Sequence, residues 1–403
     1  MKIGIGMCQY DEIKKYRNLI SDFDLDNIQT CCKVISVIFA CIDAFSGEIT
    51  KDDIYINCDD VINAKVNYQN FEYIAQIKII EKNETLISCV CFDVDEKKFL
   101  YKKVILSKQD DNNFVMSTNY MKSVFPKRYP KSHKGTYGKC FVVAGSKMLT
   151  GAAHFAANAC VKCGSGLVSL GYPSSLHNVF ESLTKEVMTL PLEDIDGTFS
   201  KECIGKIFTK CKNSDVLIYG CGIGTNEDID YITKSIIDNV EIPIVIDADG
   251  INSLSRNIDV LKNHKQQLIL TPHFMEFSRL TNIPISKIEE NPIQYALDFS
   301  KKYNVVLVLK SEKTIVVSCD KPVWINPLGN PGMATGGTGD VLAGVIASFV
   351  GQGLSCYNAA VLGTFMHSLS GDMSSLEKGM HSMTPSDILD NLPYAIKNFV
   401  SEE

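Results

Sequence analysis

Two domains are expected: an α/β domain whose mostly parallel sheet is covered by helices on both faces, and before it a small α+β domain. Three observations predict this. From Cys140 onward, short apolar runs without polar alternation recur between helical patterns, which is how strands buried on both faces read. Glycine-bearing segments follow directly on those runs, at the carboxyl ends where open α/β sheets bind ligands. Residues 1–125, by contrast, are rich in Asp, Asn, Ile and Lys, poor in glycine after the first few positions, and show no long βα alternation. At 403 residues the chain has room for both domains, and 45% hydrophobic with 22% charged residues suits a buried core under a hydrated surface.

In the first domain, Met1–Gly6 reads as a short buried strand and residues 25–46 as a helix with apolar positions at helical spacing (Val34, Ile35, Ile38, Phe39, Ile42). Ile74–Ile80 and Leu86–Phe92 read as two strands joined by a Lys82-Asn83-Glu84 turn. Phe125-Pro126-Lys127-Arg128-Tyr129-Pro130 then punctuates the chain as an extended linker, because each proline biases its predecessor away from helix. The second domain, 126–403, has strand patterns at Cys140–Ala144, Leu167–Gly171, Val216–Gly220, Ile242–Ala248, Leu268–Leu270 and Val305–Leu309. A helix is predicted over Gly151–Cys163, and two long helices after Asp340.

Fifteen cysteines, an odd number without paired spacing, argue for a reducing cytoplasm rather than a disulfide framework. Cys160 and Cys163 have redox or zinc spacing, but they sit among Ala152, Ala153, Ala156 and Ala159 in a helical pattern with no second Cys/His pair, and read as packed helix residues. The net charge of −7 is spread along the chain without a basic run, so neither nucleic acid nor an anionic membrane is an expected partner. No apolar stretch has the length of a membrane span or the form of a signal peptide. His154, His367 and His381 lack partners at metal-ligand spacing, and no protein-held metal is expected.

The most informative stretch is Gly329-Asn330-Pro331-Gly332-Met333-Ala334-Thr335-Gly336-Gly337-Thr338-Gly339-Asp340, followed by the apolar run Val341–Ala347. Five glycines and two threonines lead into one carboxylate at the start of a predicted buried helix. Such a loop brings backbone N–H groups and the positive end of a helix dipole up to an anion. The Asp at its end can take a proton from a hydroxyl held beside that anion, a combination suited to phosphoryl transfer.

The chain resembles the ADP- or ATP-dependent NAD(P)H-hydrate dehydratases, ribokinase-like in fold, from His133 to the C-terminus. The resemblance rests on six motifs in family order: His133-Lys134-Gly135-Thr136-Tyr137-Gly138-Lys139, Thr150-Gly151-Ala152-Ala153, Gly220-Cys221-Gly222-Ile223-Gly224, Asp247-Ala248-Asp249-Gly250-Ile251-Asn252, Thr271-Pro272-His273-Phe274-Met275-Glu276-Phe277, and the Gly329–Asp340 loop. It implies Asp340 as catalytic base, with Gly337 and Gly339, beside Gly336 and Thr338, stabilising the transferring phosphoryl group. It implies Ala152, Gly222, His273 and Asp340 around the hydrated nicotinamide, and Lys310, Ser311, Glu312, Lys313, Thr314 and Gly339 around the nucleotide. Two departures stand out. Cys221 occupies the centre of a turn that in the family reads Gly-Pro-Gly, and Ser311-Glu312 replaces Gly-Ala, setting a carboxylate near an anionic ligand. Asp247, Asp249 and Asn252 read either as turn caps or as groups that order a magnesium nucleotide through water.

What the resemblance implies is dehydration of hydrated NADH or NADPH (NADHX, NADPHX), with ADP or ATP as phosphoryl donor, Mg2+, and a homo-oligomeric assembly. A ribokinase-like kinase for a vitamin precursor or sugar shares the anion hole and base, and a nucleotide-binding or scaffold protein without turnover is a third reading. The first domain faintly resembles holo-acyl-carrier-protein synthases in Lys2-Ile3-Gly4-Ile5-Gly6 and Phe39-Ala40-Cys41-Ile42-Asp43-Ala44-Phe45-Ser46. Cys8 stands where that family places a magnesium-binding Asp, and Ile42-Asp43 where it has Lys-Glu, so a degenerate domain kept for packing or oligomerisation is expected.

Overall fold

The computed structural model describes residues 118–400, other than 320 and 327, and five strands between residues 54 and 100. The chain divides into two compact units, residues 1–123 with 397–403 and residues 124–396. In the first, β1 (Ile54–Asn57), β2 (Val61–Tyr68), β3 (Phe71–Lys78), β4 (Cys89–Asp93) and β5 (Lys98–Leu100) form an antiparallel sheet in sequence order. Of the three strands predicted here, Ile74–Ile80 and Leu86–Phe92 have β3 and β4 as counterparts, paired with Ile74 opposite Phe92. The expected strand at Met1–Gly6, the helix over 25–46 and the Lys82–Glu84 turn lie outside the described residues.

The second unit is built on a nine-stranded sheet in the order β16-β15-β14-β13-β12-β11-β6-β7-β8. Strands β6 (Lys139–Val143), β7 (Leu167–Pro173), β8 (Met188–Leu192), β11 (Val216–Tyr219), β12 (Ile244–Ile246), β13 (Leu268–Leu270) and β14 (Val306–Leu309) run parallel. Strands β15 (Ile315–Ser318) and β16 (Lys321–Ile325) add an antiparallel edge. A two-stranded ribbon, β9 (Asp194–Ile195) and β10 (Thr198–Phe199), stands apart from the sheet. The ribbon, β8 and the antiparallel edge are additions to the elements predicted from sequence.

The unbroken apolar runs have the physical origin expected of them. Phe141, Val143, Leu217, Tyr219, Ile244, Ile246, Leu268, Leu270, Leu307 and Leu309 join one core beneath helices Ile204–Cys211, Glu227–Asn239, Asp249–Arg256, Phe274–Thr281 and Pro292–Tyr303. The alternate residues Val142, Ile218, Val245, Ile269 and Val308 are equally buried and belong to the opposite face, where helices Thr150–Lys162, Thr338–Gly351 and Cys356–Lys378 pack. With both faces apolar, no period-two polarity survives. The region after the glycine loop folds as three helices, the last being Pro385–Val400.

Helices Thr150–Lys162 and Thr338–Gly351 cross closely because small residues meet there. A methyl group on Gly344 would collide with the Ala156 backbone and with Ala159 Cβ at 2.7 Å. Cys160 is fully buried at this crossing, and its thiol donates to the Gly344 carbonyl at 3.3 Å. It is a packing residue, as its setting among alanines predicts.

Candidate active site

The glycine loop is fixed before it reaches the helix. Asn330 caps a short turn by accepting from Gly332 N–H at 3.0 Å, and its side-chain amide donates to Asp372 at 2.9 Å and to the Gly371 carbonyl at 3.1 Å. The other Asp372 oxygen accepts from Gly329 N–H at 3.0 Å. Gly337 then takes φ +103°, a left-handed conformation that a side chain would strain, and starts the helix Thr338–Gly351. A Cβ on Gly337 would also meet Phe155 at 2.8 Å. Gly336, Gly337, Gly339 and Asp340 direct no backbone hydrogen bond to another described residue, so this first turn presents N–H groups to a ligand. Asp340 is not the residue before the helix, as the sequence suggested, but the third residue within it.

Asp340 is half-buried, and its carboxyl is pushed up to about 7. Burial is the main cause, and the nearby charge of Asp247 adds to it; the Cys221 thiol and Lys310 act in the opposite direction. A carboxyl poised near neutrality is suited to taking a proton in a transition state.

Asp247 follows β12 and is 1% exposed. It accepts from the Thr271 hydroxyl and from Lys310 Nζ, both at 2.7 Å. Lys310 ends β14, and its ammonium also lies 3.9 Å from Glu276. Burial opposes the Lys310 charge, but the two carboxylates outweigh it and hold the ammonium above its ordinary range. Glu276 is raised, chiefly by burial, while Lys310 draws it down. Gly339 has no side chain because Lys310 Nζ would lie 3.2 Å, and Asp247 3.4 Å, from a Cβ there. Lysine, carboxylates and anion-binding turn therefore meet at the carboxyl ends of neighbouring strands.

The turn after β11 completes the crevice. Gly220 and Gly222 adopt φ +118° and +63°, and Cys221 between them is fully buried. Its sulfur and carboxylate oxygens of Asp247 and Asp340 all lie within 4.8 Å of one another. Gly145 N–H donates to the Cys221 carbonyl at 2.9 Å and the Ser146 hydroxyl to the Gly222 carbonyl at 2.8 Å. A Cβ on Gly222 would stand 2.8 Å from Ala152 Cβ, so the two small residues named from sequence are neighbours. Asp249 accepts from Gly224 N–H at 2.9 Å and from the Asn252 amide at 3.4 Å, the turn-capping alternative of the two that its position allowed.

His273 has a structural task beyond its predicted contact. It begins helix Phe274–Thr281 in a reciprocal cap: Glu276 N–H donates to His273 Nδ1 at 3.2 Å, and His273 N–H donates to the Glu276 carboxylate at 2.8 Å. Its side chain is half exposed. Ser311, Glu312, Lys313 and Thr314 form a turn beyond Lys310: Lys313 N–H donates to the Ser311 hydroxyl at 3.1 Å and the Thr314 hydroxyl to the Ser311 carbonyl at 3.2 Å. The serine that replaces glycine thus closes the turn itself, and Glu312 faces solvent.

Sequence reasoning missed Glu276, Thr271, Asp372 and the Gly145-Ser146 turn. Only Gly145, a glycine directly after a strand, carried a local signal. The others are ordinary polar residues: Thr271, Asp372 and Ser146 have partners 24, 43 and 76 positions away in the chain, and Glu276 meets Lys310 from another strand end.

A metal would find two hard oxygen ligands here, Asp247 and Asp340, beside a thiol. That set suits Mg2+ brought in on nucleotide phosphates, which needs one or two protein carboxylates, better than an ion caged by protein alone.

Comparison with known proteins agrees with this geometry. Residues 140–394 match the family model described as NAD(P)H-hydrate dehydratase. The chain is 36% identical over 299 residues to the bifunctional NAD(P)H-hydrate repair enzyme of Moorella thermoacetica, covering 74% of this chain and 56% of that protein. It is 34% identical over 281 residues to the ADP-dependent (S)-NAD(P)H-hydrate dehydratase of Staphylococcus aureus, covering 68% of this chain and 95% of that one. The chain spans little more than half the length of the bifunctional relatives, 52–56%. Among solved structures, a ribokinase-like superfamily protein from Enterococcus faecalis superposes with a TM-score of 0.63 at 26% identity, covering 72% of this chain and 98% of that one. With a matched region that takes in the glycine loop, Asp340 and the strand-end turns, the chain belongs to the NAD(P)H-hydrate dehydratase family.

Proposed function

We propose that this protein dehydrates NADHX and NADPHX to NADH and NADPH, with ADP as the phosphoryl donor in preference to ATP. The observation that carries the reading is Asp340: a carboxyl poised near neutrality in the first turn of a glycine-led helix, beside the buried Lys310–Asp247 pair. The relatives' names support the substrate and the nucleotide.

The hydrated nicotinamide carries a hydroxyl on the carbon next to the ring nitrogen, and hydroxide leaves poorly. Asp340 takes the hydroxyl proton as that oxygen attacks the terminal phosphorus of the nucleotide, giving a phosphate ester and AMP from ADP. Backbone N–H groups of Gly336, Gly337 and Gly339 stabilise the charge on the transferring group. The ring nitrogen's lone pair then expels phosphate, and loss of a proton from the adjacent ring carbon restores the reduced nicotinamide. Lys310 lies near Gly339 and draws the nucleotide's phosphates into the turn. Ala152 and Gly222 leave room for the nicotinamide, which His273 meets from beyond the carboxyl end of β13, and Ser311–Thr314 borders the nucleotide. Asp247 and Asp340 would hold a magnesium ion brought in with the nucleotide, which would supply charge neutralisation. Residues 1–125 are assigned to a separate small domain that serves packing or homo-oligomer assembly in a reducing cytoplasm.

The test is spectrophotometric. Purified protein is mixed with hydrated NADH, magnesium and either ADP or ATP, and reduced nicotinamide is followed at its near-ultraviolet band. The band should grow faster with ADP, and Asp340→Asn should lower the rate by roughly 10²–10⁴-fold. No growth from folded native protein, or an undiminished rate in the variant, would overturn the reading.

A further inference from the structure

We infer that Arg279 binds the pyrophosphate bridge of the hydrated dinucleotide, one ribose away from the ring that His273 and Gly222 receive. The inference rests on the proposed function. Ala152, Gly222, His273 and Asp340 account for the nicotinamide alone, whereas a dinucleotide also brings two phosphates whose charge has to be met.

Arg279 lies in helix Phe274–Thr281, six residues beyond the His273 that caps it. Its side chain runs back toward the helix start, as helical side chains do, and Nη2 reaches the Met275 sulfur one turn earlier at 3.1 Å. Nη1 donates to the Asn252 side-chain oxygen at 3.1 Å, and Asn252 belongs to the first turn of helix Asp249–Arg256. The guanidinium therefore stands between the first turns of the helices that follow β12 and β13. Arg279, Met275 and His273 are all exposed there, so this is an open rim of the crevice.

The charge of Arg279 is available. Lys147 and Arg256 are ion-paired with Asp196 and Asp230, and Lys310 is shared between Asp247 and Glu276. Both hydrogen-bond partners of Arg279 are neutral, and among the described residues no carboxylate is ion-paired with it. Asn252 is the reason: its amide donates to Asp249 at 3.4 Å while its oxygen accepts from Arg279, which keeps carboxylate and guanidinium apart. An amide holds one nitrogen of the fork, and only a thioether, a weak acceptor, meets the other. That edge can turn to a phosphate at little loss. The need for it is electrostatic, since Asp247, Asp249, Glu276 and Asp340 gather at the strand ends and repel a polyanion. The pyrophosphate is the nearer of the anionic groups: it is one ribose from the nicotinamide, whereas the 2′-phosphate of NADPHX lies beyond it on the adenosine half. A guanidinium level with Met275, two residues after His273, fits the nearer group.

The experiment compares native protein with Arg279→Met and Arg279→Lys on NADHX, NADPHX and hydrated reduced nicotinamide riboside, which carries no phosphate. Trp324 fluorescence checks that each variant is folded. Arg279→Met should raise KM for NADHX and NADPHX by the same factor, roughly 10- to 100-fold, with kcat little changed. KM for the riboside and for ADP should stay near native. Arg279→Lys, which keeps the charge without the fork, should recover part of the loss. Titration of NADH by its own fluorescence reads the same weakening without turnover. An unaltered KM for NADHX in folded Arg279→Met overturns the inference. So does an equal loss on the riboside, which would make Arg279 a strut between two helices, and so does a loss confined to NADPHX, which would move the contact to the 2′-phosphate. Native protein that binds NADH without turning over NADHX sinks the proposed function, while the NADH titrations still decide on Arg279; native protein that does neither overturns both.

Discussion

Replacing Lys310 by methionine should cost stability as well as nucleotide binding, and the structure supplies the magnitude. The ammonium lies 2.7 Å from Asp247 and 3.9 Å from Glu276, with Lys310 20% exposed and the two carboxylates 2% and 7%. At an effective dielectric of about 20, these separations correspond to gross attractions of about 6 and about 4 kcal/mol. Desolvation of all three groups offsets most of that, so the pair is no measure of net stability while it is whole. Removing the lysine alone leaves two carboxylates buried and mutually repulsive, which costs about 3–5 kcal/mol in comparable pairs. Lys310→Met should therefore lower the melting temperature by roughly 6–15 °C. Trp324 is the assay: it is the chain's only tryptophan, lies in β16 of the same sheet and is 1% exposed, so its fluorescence reports this unit alone. Asp247→Asn on the Lys310→Met background should restore about 1–3 kcal/mol, since one of the stranded charges is removed. Two results would refute the reasoning: an unaltered transition in Lys310→Met, or single and double variants whose costs simply add.

Three further outcomes are expected. Because Asp340 is raised to about 7 and must be ionised to accept a proton, kcat/KM should fall about tenfold per pH unit below that value, and the residual activity of Asp340→Asn should lack this limb. Gly337→Ala forces a left-handed φ and a clash with Phe155, and should cost about 1–3 kcal/mol by Trp324 fluorescence, whereas Gly336→Ala, with nothing within 4 Å, should cost little. His367 is held neutral by burial, its pKa depressed to about 4 from an unfolded value near 6.5. Its stabilisation is complete above about pH 6.5 and is lost as pH falls toward 4, by up to roughly 3 kcal/mol. His367→Gln should flatten that part of the stability-pH curve, and a native slope retained in the variant would exclude His367 as its source.

Local physics decided much of this protein at the level of sequence. Strand Leu268–Leu270 and the parallel sheet were legible because burial on both faces leaves short apolar runs, here bounded by turn residues and recurring between helical patterns. The glycine loop was legible because backbone at φ +103° and close approach to Phe155 admit only a residue without a side chain. Lys310 and Gly339 were separately legible as a strand end and a helix start. That they touch, with Gly339 bare because Lys310 and Asp247 stand over it, was not. Charge partnership has no sequence period: Asp247 and Lys310 are 63 residues apart, and only the parallel order of β12, β13 and β14 brings their ends together. The same holds for Asp340. Its place after a glycine run marked it as a base, but its elevation to neutrality depends on how deeply the helix sinks its first turn and on Asp247, Lys310 and Cys221 closing round it. Cys221 shows the difference most plainly. In sequence it is a proline lost from a turn; in the fold that turn brings the sulfur within 4.8 Å of carboxylate oxygens of Asp247 and Asp340, a neighbourhood set by strand order alone.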